Sequence, residues 1–477
     1  MSEHENRTRL LKFDFKNMLR LWSVGILFLL TMSASVLHAS PASPERWYFT
    51  HFTTDDGLAF NSVTSITQDS NGFVWFATED GLSRYDGRDF KNFTKDDLGI
   101  DTDFITALCA DGGGNLWVGS DNGASRYDFV SDSFVPLDAV SDKGTEVRGK
   151  VTHICIDDGG LVWMSVNGLG LFSYDPVTDR LRNFFCENGR TTLPFNIRTF
   201  VIDGNGDFWL SLYFADIWYS DSSLQKAERV KIVGWKENDD IVSMDRNGQG
   251  RIILSSWKNG LGEFDCKKRS FRSYLNYGPG QRPKGMYYDR NNRRIWSATT
   301  RGLCLYDLAT GETARLSSNV QDGFSLSGDN ITAVFTDATG GLWASSLSSG
   351  VNYASEYHKN FRKYYMADGE NLAGCFIMDI AQDSSGRIWV ASEKRGLLYL
   401  DTADDALHFF RSHLPTNIRS LCSDGDDLWI GAWGGIWKLN TRNGRVSHYF
   451  EMRDNAHRLY KTSSGDVLLG FPLGLMR

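Results

Sequence analysis

The sequence predicts an all-β protein: a seven-bladed β-propeller of four-stranded antiparallel blades, followed by the first blades of a second, incomplete propeller. A short motif, Asp-x-x-Gly-x-x-Trp, recurs along the chain, and its Trp position returns every 39 to 47 residues. The 477 residues include 47 Gly and 13% aromatic residues, with few apolar stripes of helical length. Each repeat divides into four short strand-like runs. Four strands in roughly 40 residues is the period of a propeller blade, which must stack on its copies to bury its faces.

The motif itself indicates a tight turn followed by a buried ring. Asp accepts backbone N–H groups in such turns, and Gly supplies the positive φ that a short hairpin demands. We expect the Trp to fill the space between neighbouring sheets. Turn roles are therefore assigned to the six aspartates Asp69, Asp111, Asp157, Asp203, Asp337 and Asp383.

The strand before each Asp is apolar-rich, as in VTSITQD (Val63–Asp69), with apolar residues six and three positions before the Asp. An odd offset places two side chains on opposite faces of a regular strand, so both faces are predicted to be buried. A second strand follows the Trp, and a Gly then introduces a third. Paired aromatic residues mark the fourth strand, as in FKNFT (Phe90–Thr94).

The two ends of the chain suggest its division into parts. Basic residues within 1–20, an uncharged apolar run of 16 residues (Trp22–Leu37) and small residues follow the order of a secretory signal peptide, with an uncleaved anchor or a buried helix as alternatives. The predicted parts are a signal peptide or anchor at 1–42, the seven-bladed propeller at 43–355, and about three blades of a second, truncated propeller at 356–477.

Two further segments support that division. The first strand of the predicted propeller, WYFTHFT (Trp47–Thr53), resembles an outer strand and is expected to close the ring with the last blade. FRKYY (Phe361–Tyr365) resembles it and begins the second array. The final run, LLGFPLGLMR, stops in the third strand of the tenth repeat, so we expect the sequence to be part of a longer protein, with a degenerate natural terminus as the alternative.

Charge and cysteine patterns exclude several classes of function. The net charge is −8 and no basic block stands out, which argues against nucleic-acid binding. The seven cysteines include no Cys-x-x-Cys pair, so neither a zinc site nor a redox motif is indicated. No catalytic constellation, metal site or cofactor is predicted, and His153 is interpreted as an interior residue of a first strand.

The repeat GLAFNSVTSITQDSNGFVWFATEDGLSRYDGRDFKNFT (Gly57–Thr94) closely resembles the two-component regulator propeller repeat, as do the later copies. The resemblance covers about 45–477. It implies the periplasmic sensor region of a hybrid two-component system histidine kinase, with two propellers, a β-sandwich, a membrane helix and a kinase in the usual plan. Members of this family resemble sensors of oligosaccharides. This sequence contains no sandwich, second hydrophobic span or kinase, so phosphotransfer is expected of residues outside it.

Candidate ligand-binding residues lie in loops between the second and third strands, which share one rim of the propeller with the loops entering each first strand. Most of these loops are plain, but several carry aromatic or basic side chains suited to stacking on sugars or pairing with acidic groups. The candidates are Tyr213, Phe214, Trp257, Lys258, Arg301, Lys394, Arg395 and Trp433. Ordinary decoration of a solvated rim is the alternative interpretation of each.

The leading hypothesis is a non-enzymatic, extracytoplasmic sensor region that binds an oligosaccharide and signals to a histidine kinase in cis or in trans. The expected location is the periplasm or cell envelope. Membrane attachment is expected through the N-terminal segment or a C-terminal helix outside this sequence, and a homodimer is the assembly considered. A propeller lyase or hydrolase acting on glycans is the second hypothesis. A protein-binding scaffold is the third, because fold alone does not settle function.

Overall fold

The computed structural model describes residues 47–184, 194, 196–357 and 361–477. Tyr48–Arg477 form one compact unit. The predicted signal peptide or anchor at 1–42 lies outside the described residues. Among the residues that are described, no helix is both long and apolar enough to cross a membrane.

Short antiparallel strands make up the first three quarters of the compact unit. Only a 3-10 turn (Thr54–Asp56) and the single-turn helix α1 (Lys95–Leu98) interrupt them within the described residues. The strands are β1 (Thr50–Phe52), β2 (Val63–Gln68), β3 (Val74–Thr78), β4 (Gly81–Tyr85), β5 (Phe90–Phe93), β6 (Ile105–Ala110), β7 (Leu116–Ser120), β8 (Ala124–Asp128), β9 (Ser133–Pro136), β10 (Val151–Ile156), β11 (Val162–Val166), β12 (Gly170–Asp175), β13 (Arg180–Asn183), β14 (Ile197–Ile202), β15 (Phe208–Leu212), β16 (Ala215–Ser220), β17 (Ala227–Arg229), β18 (Ile241–Arg246), β19 (Arg251–Ser256), β20 (Gly260–Asp265), β21 (Ser270–Leu275), β22 (Pro283–Asp289), β23 (Arg294–Thr299), β24 (Gly302–Asp307), β25 (Thr313–Leu316), β26 (Ile331–Thr336), β27 (Leu342–Ser346) and β28 (Val351–Ala354).

These strands form seven four-stranded sheets, called blades 1 to 7 in chain order. Blades 1 to 6 are β2–β5, β6–β9, β10–β13, β14–β17, β18–β21 and β22–β25, and blade 7 is β26–β28 with β1 at its outer edge. β1 pairs antiparallel with β28, as the sequence predicts. The first strand of each blade contacts that of the next, from β2 through β26 and back to β2. The array is therefore a closed propeller with the first strands around its axis.

A β-bulge near the start of each first strand overturns one sequence expectation. In β2 the register shifts between Val63 and Ser65, and the first strands of the other blades shift at the same place. The extra residue brings Val63 and Ile66 onto one face, where both pack in the cluster that holds Trp343 of blade 7. Both apolar residues of the strand thus pack on the preceding blade, and the opposite face can carry polar side chains.

The turn aspartates bind the motif Trp as well as the turn. In blade 1, Asp69 Oδ1 accepts from the backbone N–H of Asn71 and Phe73, at 2.9 and 3.1 Å. Its Oδ2 accepts from the indole of the buried Trp75, so one carboxylate fixes both the turn and the ring. The Nε1–Oδ2 distances in this and four other copies are 2.7 Å for Trp75–Asp69, 2.8 Å for Trp163–Asp157, 3.1 Å for Trp209–Asp203, 2.8 Å for Trp343–Asp337 and 2.8 Å for Trp389–Asp383.

Blade 2 departs from this arrangement. Asp111 Oδ2 accepts from Asn115 Nδ2 at 2.7 Å instead of from the indole. Trp117 is as buried as the other motif rings, yet its Nε1 has no hydrogen-bond partner among the described residues. Asn115, four residues after the turn Asp, thus makes the hydrogen bond that the Trp indole makes in blades 1, 3, 4 and 7.

The last part of the chain continues the array with three more sheets, called blades 8 to 10. Their strands, with a small hairpin before them, are β29 (Met366–Ala367), β30 (Glu370–Asn371), β31 (Ile377–Gln382), β32 (Ile388–Ser392), β33 (Gly396–Asp401), β34 (Ala406–Phe409), β35 (Ile418–Asp424), β36 (Asp427–Asn440), β37 (Val446–Asn455), β38 (Arg458–Lys461), β39 (Val467–Phe471) and β40 (Gly474–Met476). Blade 8 is β31–β34, blade 9 β35–β37 and blade 10 β38–β40. The long β36 folds back on itself, since Thr441 N donates to Asp426 O at its base (2.8 Å).

The junction between the two arrays differs from the sequence expectation. Phe361–Tyr365 resemble β1 but are not a strand; instead the following β29 adds to the outer edge of blade 8, parallel to β34 at Ala367 and Leu407. This segment contacts residues of both arrays. Lys363 N donates to Tyr48 Oη at 3.1 Å, and Tyr364 Oη donates to Asp405 Oδ1 at 2.7 Å. The boundary at 355/356 remains a prediction, because Tyr48–Arg477 form one compact unit.

Candidate functional site

The first strands reveal where the repeat changes. In blades 1, 2, 3 and 7 a Thr follows the first strand residue, and its Oγ1 donates to the first carbonyl of the next blade. The distances are 2.7 Å for Thr64–Ile105, 2.6 Å for Thr106–Val151, 2.8 Å for Thr152–Ile197 and 2.6 Å for Thr332–Val63. Blades 4, 5 and 6 carry Arg198, Val242 and Lys284 at this position. The repeated Thr is therefore absent from these three blades, and in blade 4 Ser211 Oγ donates to the first carbonyl of blade 5, Ile241 O, at 2.8 Å instead.

The rim loops of the same sector bring three predicted residues together. The ring of Phe214 meets that of Trp257 edge to face, with centroids 5.7 Å apart. Tyr213 precedes Phe214 in the two-residue loop between β15 and β16. Tyr213 is 39% exposed and Phe214 64% exposed. We call Tyr213, Phe214 and Trp257 the aromatic group.

Phe214 has a strained backbone. Its φ is +55°, a conformation that bulky residues rarely adopt, whereas the hairpins of blades 1 and 6 place Gly81 and Gly302 at positive φ. The Phe214 N–H donates to Asp240 Oδ1 at 3.3 Å, which helps to hold this geometry. Such strain costs on the order of 1–3 kcal/mol and tends to occur at functional sites.

The buried residue Asp240 connects the members of the aromatic group. Asp240 is 2% exposed and pairs with Arg198 at 2.5 Å, while the Asp240 carbonyl accepts from Trp257 N at 3.1 Å. The Arg198 guanidinium lies 5.2 Å from the centre of the Tyr213 ring. One ion pair therefore connects the first strand of blade 4 with all three aromatic residues.

Two more buried aspartates support this arrangement. Asp239 accepts from the backbone N–H of Lys258 and Asn259, at 2.8 and 3.0 Å. Asp216 accepts from Trp235 Nε1 at 2.8 Å and pairs with Arg229. Burial alone would raise the pKa of Asp216, but the hydrogen bonds from Trp235, Arg229 and the backbone outweigh it and lower that pKa. The carboxylate is thus ionised, and it also accepts from the backbone N–H groups of Asn238 and Asp239, at 3.2 and 3.1 Å.

Basic side chains flank the aromatic group. The Arg282 guanidinium lies 4.5 Å from the centre of the Trp257 ring. Arg301 lies on the same rim in blade 6, and its guanidinium runs beside Gly280. Neither arginine forms an ion pair with a carboxylate of the described residues. Lys258 differs, because its Nζ donates to the carbonyl oxygens of Glu237 and Asn238 at 3.1 and 2.8 Å.

The axis of the propeller holds a cavity of about 880 Å³, lined by the first strands of the blades. His153 lines it with its ring against Phe200, and burial lowers the pKa of His153 to about 4, so the imidazole is neutral near pH 7. At the turn end, Arg290 pairs with Asp245 at 2.5 Å and Arg246 with Asp158 at 2.6 Å. These pairs link blades 3, 5 and 6 across the channel opening.

The remaining predicted residues lie apart from the aromatic group. Lys394 and Arg395 line a second cavity of about 390 Å³ on blade 8. Trp433 is at the tip of the folded β36 in blade 9 and is 56% exposed. The structure thus divides the eight candidates into a group on blades 4 to 6, a pair on blade 8 and an isolated Trp. Across the described residues, no cluster of three or more His, Cys, Asp or Glu side chains could hold a metal ion.

Sequence reasoning missed the residues that organise the site. Arg198, Asp216, Asp239, Asp240 and Arg282 were not candidates. The signal for Arg198 was present, since it replaces the repeated Thr, but reading it required the strand starts to be aligned. The buried aspartates gave no such signal, because Asp239 and Asp240 belong to a polar stretch that reads as a solvated loop.

Comparison with known proteins agrees with this fold. Residues 57–80, 99–122 and 371–394 match the family model of the two component regulator propeller. The chain therefore carries repeats of the two component regulator propeller family. A stretch of 50 residues is 44% identical to Histidine kinase P4 of Formosa agariphila, covering 10% of this chain and 4% of that protein.

Solved structures show the same architecture. The extracellular domain of BT3049 from B. thetaiotaomicron, described as a hybrid two component system, is 18% identical with a TM-score of 0.62, over 89% of this chain and 64% of that one. The extracellular domain of BT4673 from the same organism is 16% identical with a TM-score of 0.54, over 90% and 65%. Virginiamycin B lyase from Staphylococcus aureus is 11% identical with a TM-score of 0.51, over 65% and 99%. The chain spans just under two thirds of the two extracellular domains.

Proposed function

We propose that this chain is the ligand-sensing region of a two-component signalling protein and that it binds an oligosaccharide at the aromatic group. The observation that carries the proposal is the aromatic group itself: two exposed rings and a third beside them, held by buried aspartates, in the sector where the repeat abandons its Thr. Aromatic faces suit the apolar faces of sugar rings, and a few fixed polar groups supply orientation. Arg282 and Arg301 add positive charge, which favours a carboxylated or sulfated sugar.

The signalling part of the proposal follows from the family. Three segments of this chain match the two component regulator propeller model, and its fold is similar to extracellular domains of two component systems. We infer that the chain acts outside the cytoplasm, that residues 1–42 direct its export or anchor it, and that it signals without catalysis of its own to a histidine kinase in cis or in trans. A ligand drives such a response only through different affinities for two arrangements of the protein.

A thermal-shift screen of the purified 477-residue chain tests this function. The panel contains neutral, carboxylated and sulfated oligosaccharides, and calorimetry follows each hit. A ligand of the native state raises the melting temperature, by mass action. We expect one glycan class to do so without forming product. Product formation would instead support the lyase or hydrolase hypothesis.

Matched variants locate the site. Trp257→Ala removes the ring beneath Arg282 and should abolish the shift, whereas Trp257→Phe keeps a ring and should retain most of it. Trp433→Ala removes another exposed indole, on blade 9, and should leave the shift unchanged. A glycan shift that survives Trp257→Ala but not Trp433→Ala would place the ligand elsewhere.

A further inference from the structure

The second cavity, on blade 8, has a distinctive charge pattern. Three basic side chains line it, from Lys394, Arg395 and Arg411, against the single carboxylate of Glu370. The wall includes Phe409 and the buried Leu397. A small cavity with excess positive charge and an apolar wall is suited to a compact organic anion.

Glu370 already occupies the position that such an anion would take. Its Oε2 lies 3.1 Å from Arg395 Nη1, and its Oε1 lies 3.5 Å from Arg411 Nη2. One carboxylate therefore spans two guanidinium groups. All three side chains are substantially exposed, and exposed ion pairs contribute little to stability. A carboxylate or sulfate from solution can therefore compete with Glu370.

The rest of the cavity suits a ring that carries the anionic group. The Arg411 guanidinium lies 5.6 Å from the centre of the Phe409 ring, which belongs to the apolar wall. Lys394 Nζ lies 5.5 Å from the centre of the Phe376 ring. Lys394 has no carboxylate partner among the described residues, so it is available as a third donor.

We propose that this cavity binds the carboxylate or sulfate group of a compact ring-shaped anion, such as an acidic monosaccharide unit, and that Glu370 is its internal competitor. The site does not depend on the aromatic group of blades 4 to 6. It also involves the junction, because Glu370 begins β30 of the hairpin whose Asp368 accepts from Phe409 N at 2.9 Å. Displacing Glu370 releases β30 from Arg395 and Arg411, whereas the Asp368 contact keeps the turn of the hairpin on β34.

Calorimetry on the full chain at low ionic strength tests this site, with D-glucuronate as the probe and D-glucose as its neutral counterpart. Glucuronate should bind and glucose should not. Glu370→Gln removes the competitor and should tighten glucuronate binding about two- to fivefold, the range expected for one exposed ion pair. Arg411→Gln removes a donor at an exposed position that the fold does not need, and should abolish measurable binding.

Two controls complete the experiment. Inorganic sulfate should compete with glucuronate, which shows that the anionic group is what the cavity recognises. Trp257→Ala should leave glucuronate binding unchanged, so failure here is distinct from failure of the aromatic group. Equal binding of glucose, weaker binding by Glu370→Gln, or unchanged binding by Arg411→Gln would each overturn the proposal.

Discussion

The Asp–Trp pairs of the turns give a prediction that compares two blades within one protein. Asp69 and Trp75 share a hydrogen bond of 2.7 Å, whereas Asp111 bonds Asn115 and leaves the Trp117 indole without a described partner. Single substitutions would mix hydrogen bonding with ring packing, because Trp75 also stacks on Phe93 at 5.7 Å. A double-mutant cycle isolates the pair.

The cycle combines Asp→Asn with Trp→Phe in each blade. A hydrogen bond to a charged acceptor contributes about 1.5–3 kcal/mol, so we expect a coupling free energy of that order between Asp69 and Trp75. For Asp111 and Trp117 the structure has no bond to lose, and the coupling should stay within about 0.5 kcal/mol of zero.

Chemical denaturation measures the free energy of unfolding of each variant, with the coincidence of fluorescence and circular dichroism as the check on each transition. Asn115→Phe supplies a rescue, since blade 1 carries Phe73 at this position and Asp111 Oδ2 becomes available to Trp117. The coupling in blade 2 should then rise toward that of blade 1. Equal coupling in the two unmodified blades would refute the assignment of the turn carboxylate as the anchor of the ring.

Three further predictions concern the ring, the junction and the rim. Thr106→Val removes the 2.6 Å bond to Val151 O and should lower the free energy of unfolding by about 1 kcal/mol, measured by denaturation. Asp368 and then Asp404 raise the pKa of His408 above 6.5. The stabilisation that His408 contributes to the fold is therefore complete below pH 6.5 and is lost as the pH rises through the raised value. An NMR titration of His408 with an ordinary midpoint would contradict this. Phe214→Gly should change the free energy of unfolding by no more than about 1 kcal/mol, because relief of the positive φ offsets lost packing, yet should abolish glycan binding in calorimetry.

Local turn chemistry made the repeat readable from the sequence. Asp69 and Gly72 define a turn within four residues, and the spacing of Trp75 follows from the strand that begins there. The closing strand Thr50–Phe52 was also predictable, because it resembles the outer strand of blade 1. Each of these features depends on residues that are near in sequence or repeated.

The bulge and the site depend on other information. A one-residue insertion near Val63 changes which face Ile66 occupies, and no residue type marks it. Arg198 and Asp240 are 42 residues apart in sequence, and their pairing exists only after blades 4 and 5 stack. Burial turns Asp240 from an apparent loop residue into a support for Tyr213 and Phe214, and burial is a property of the assembled propeller.

The most direct test of the sensing proposal is a crystal structure of the chain with the glycan selected by the thermal-shift screen. The account predicts a sugar ring against Trp257 and Phe214, with its polar groups directed toward Arg282 and Arg301. A glycan bound in the axial channel or on another blade, with the aromatic group empty, would contradict it.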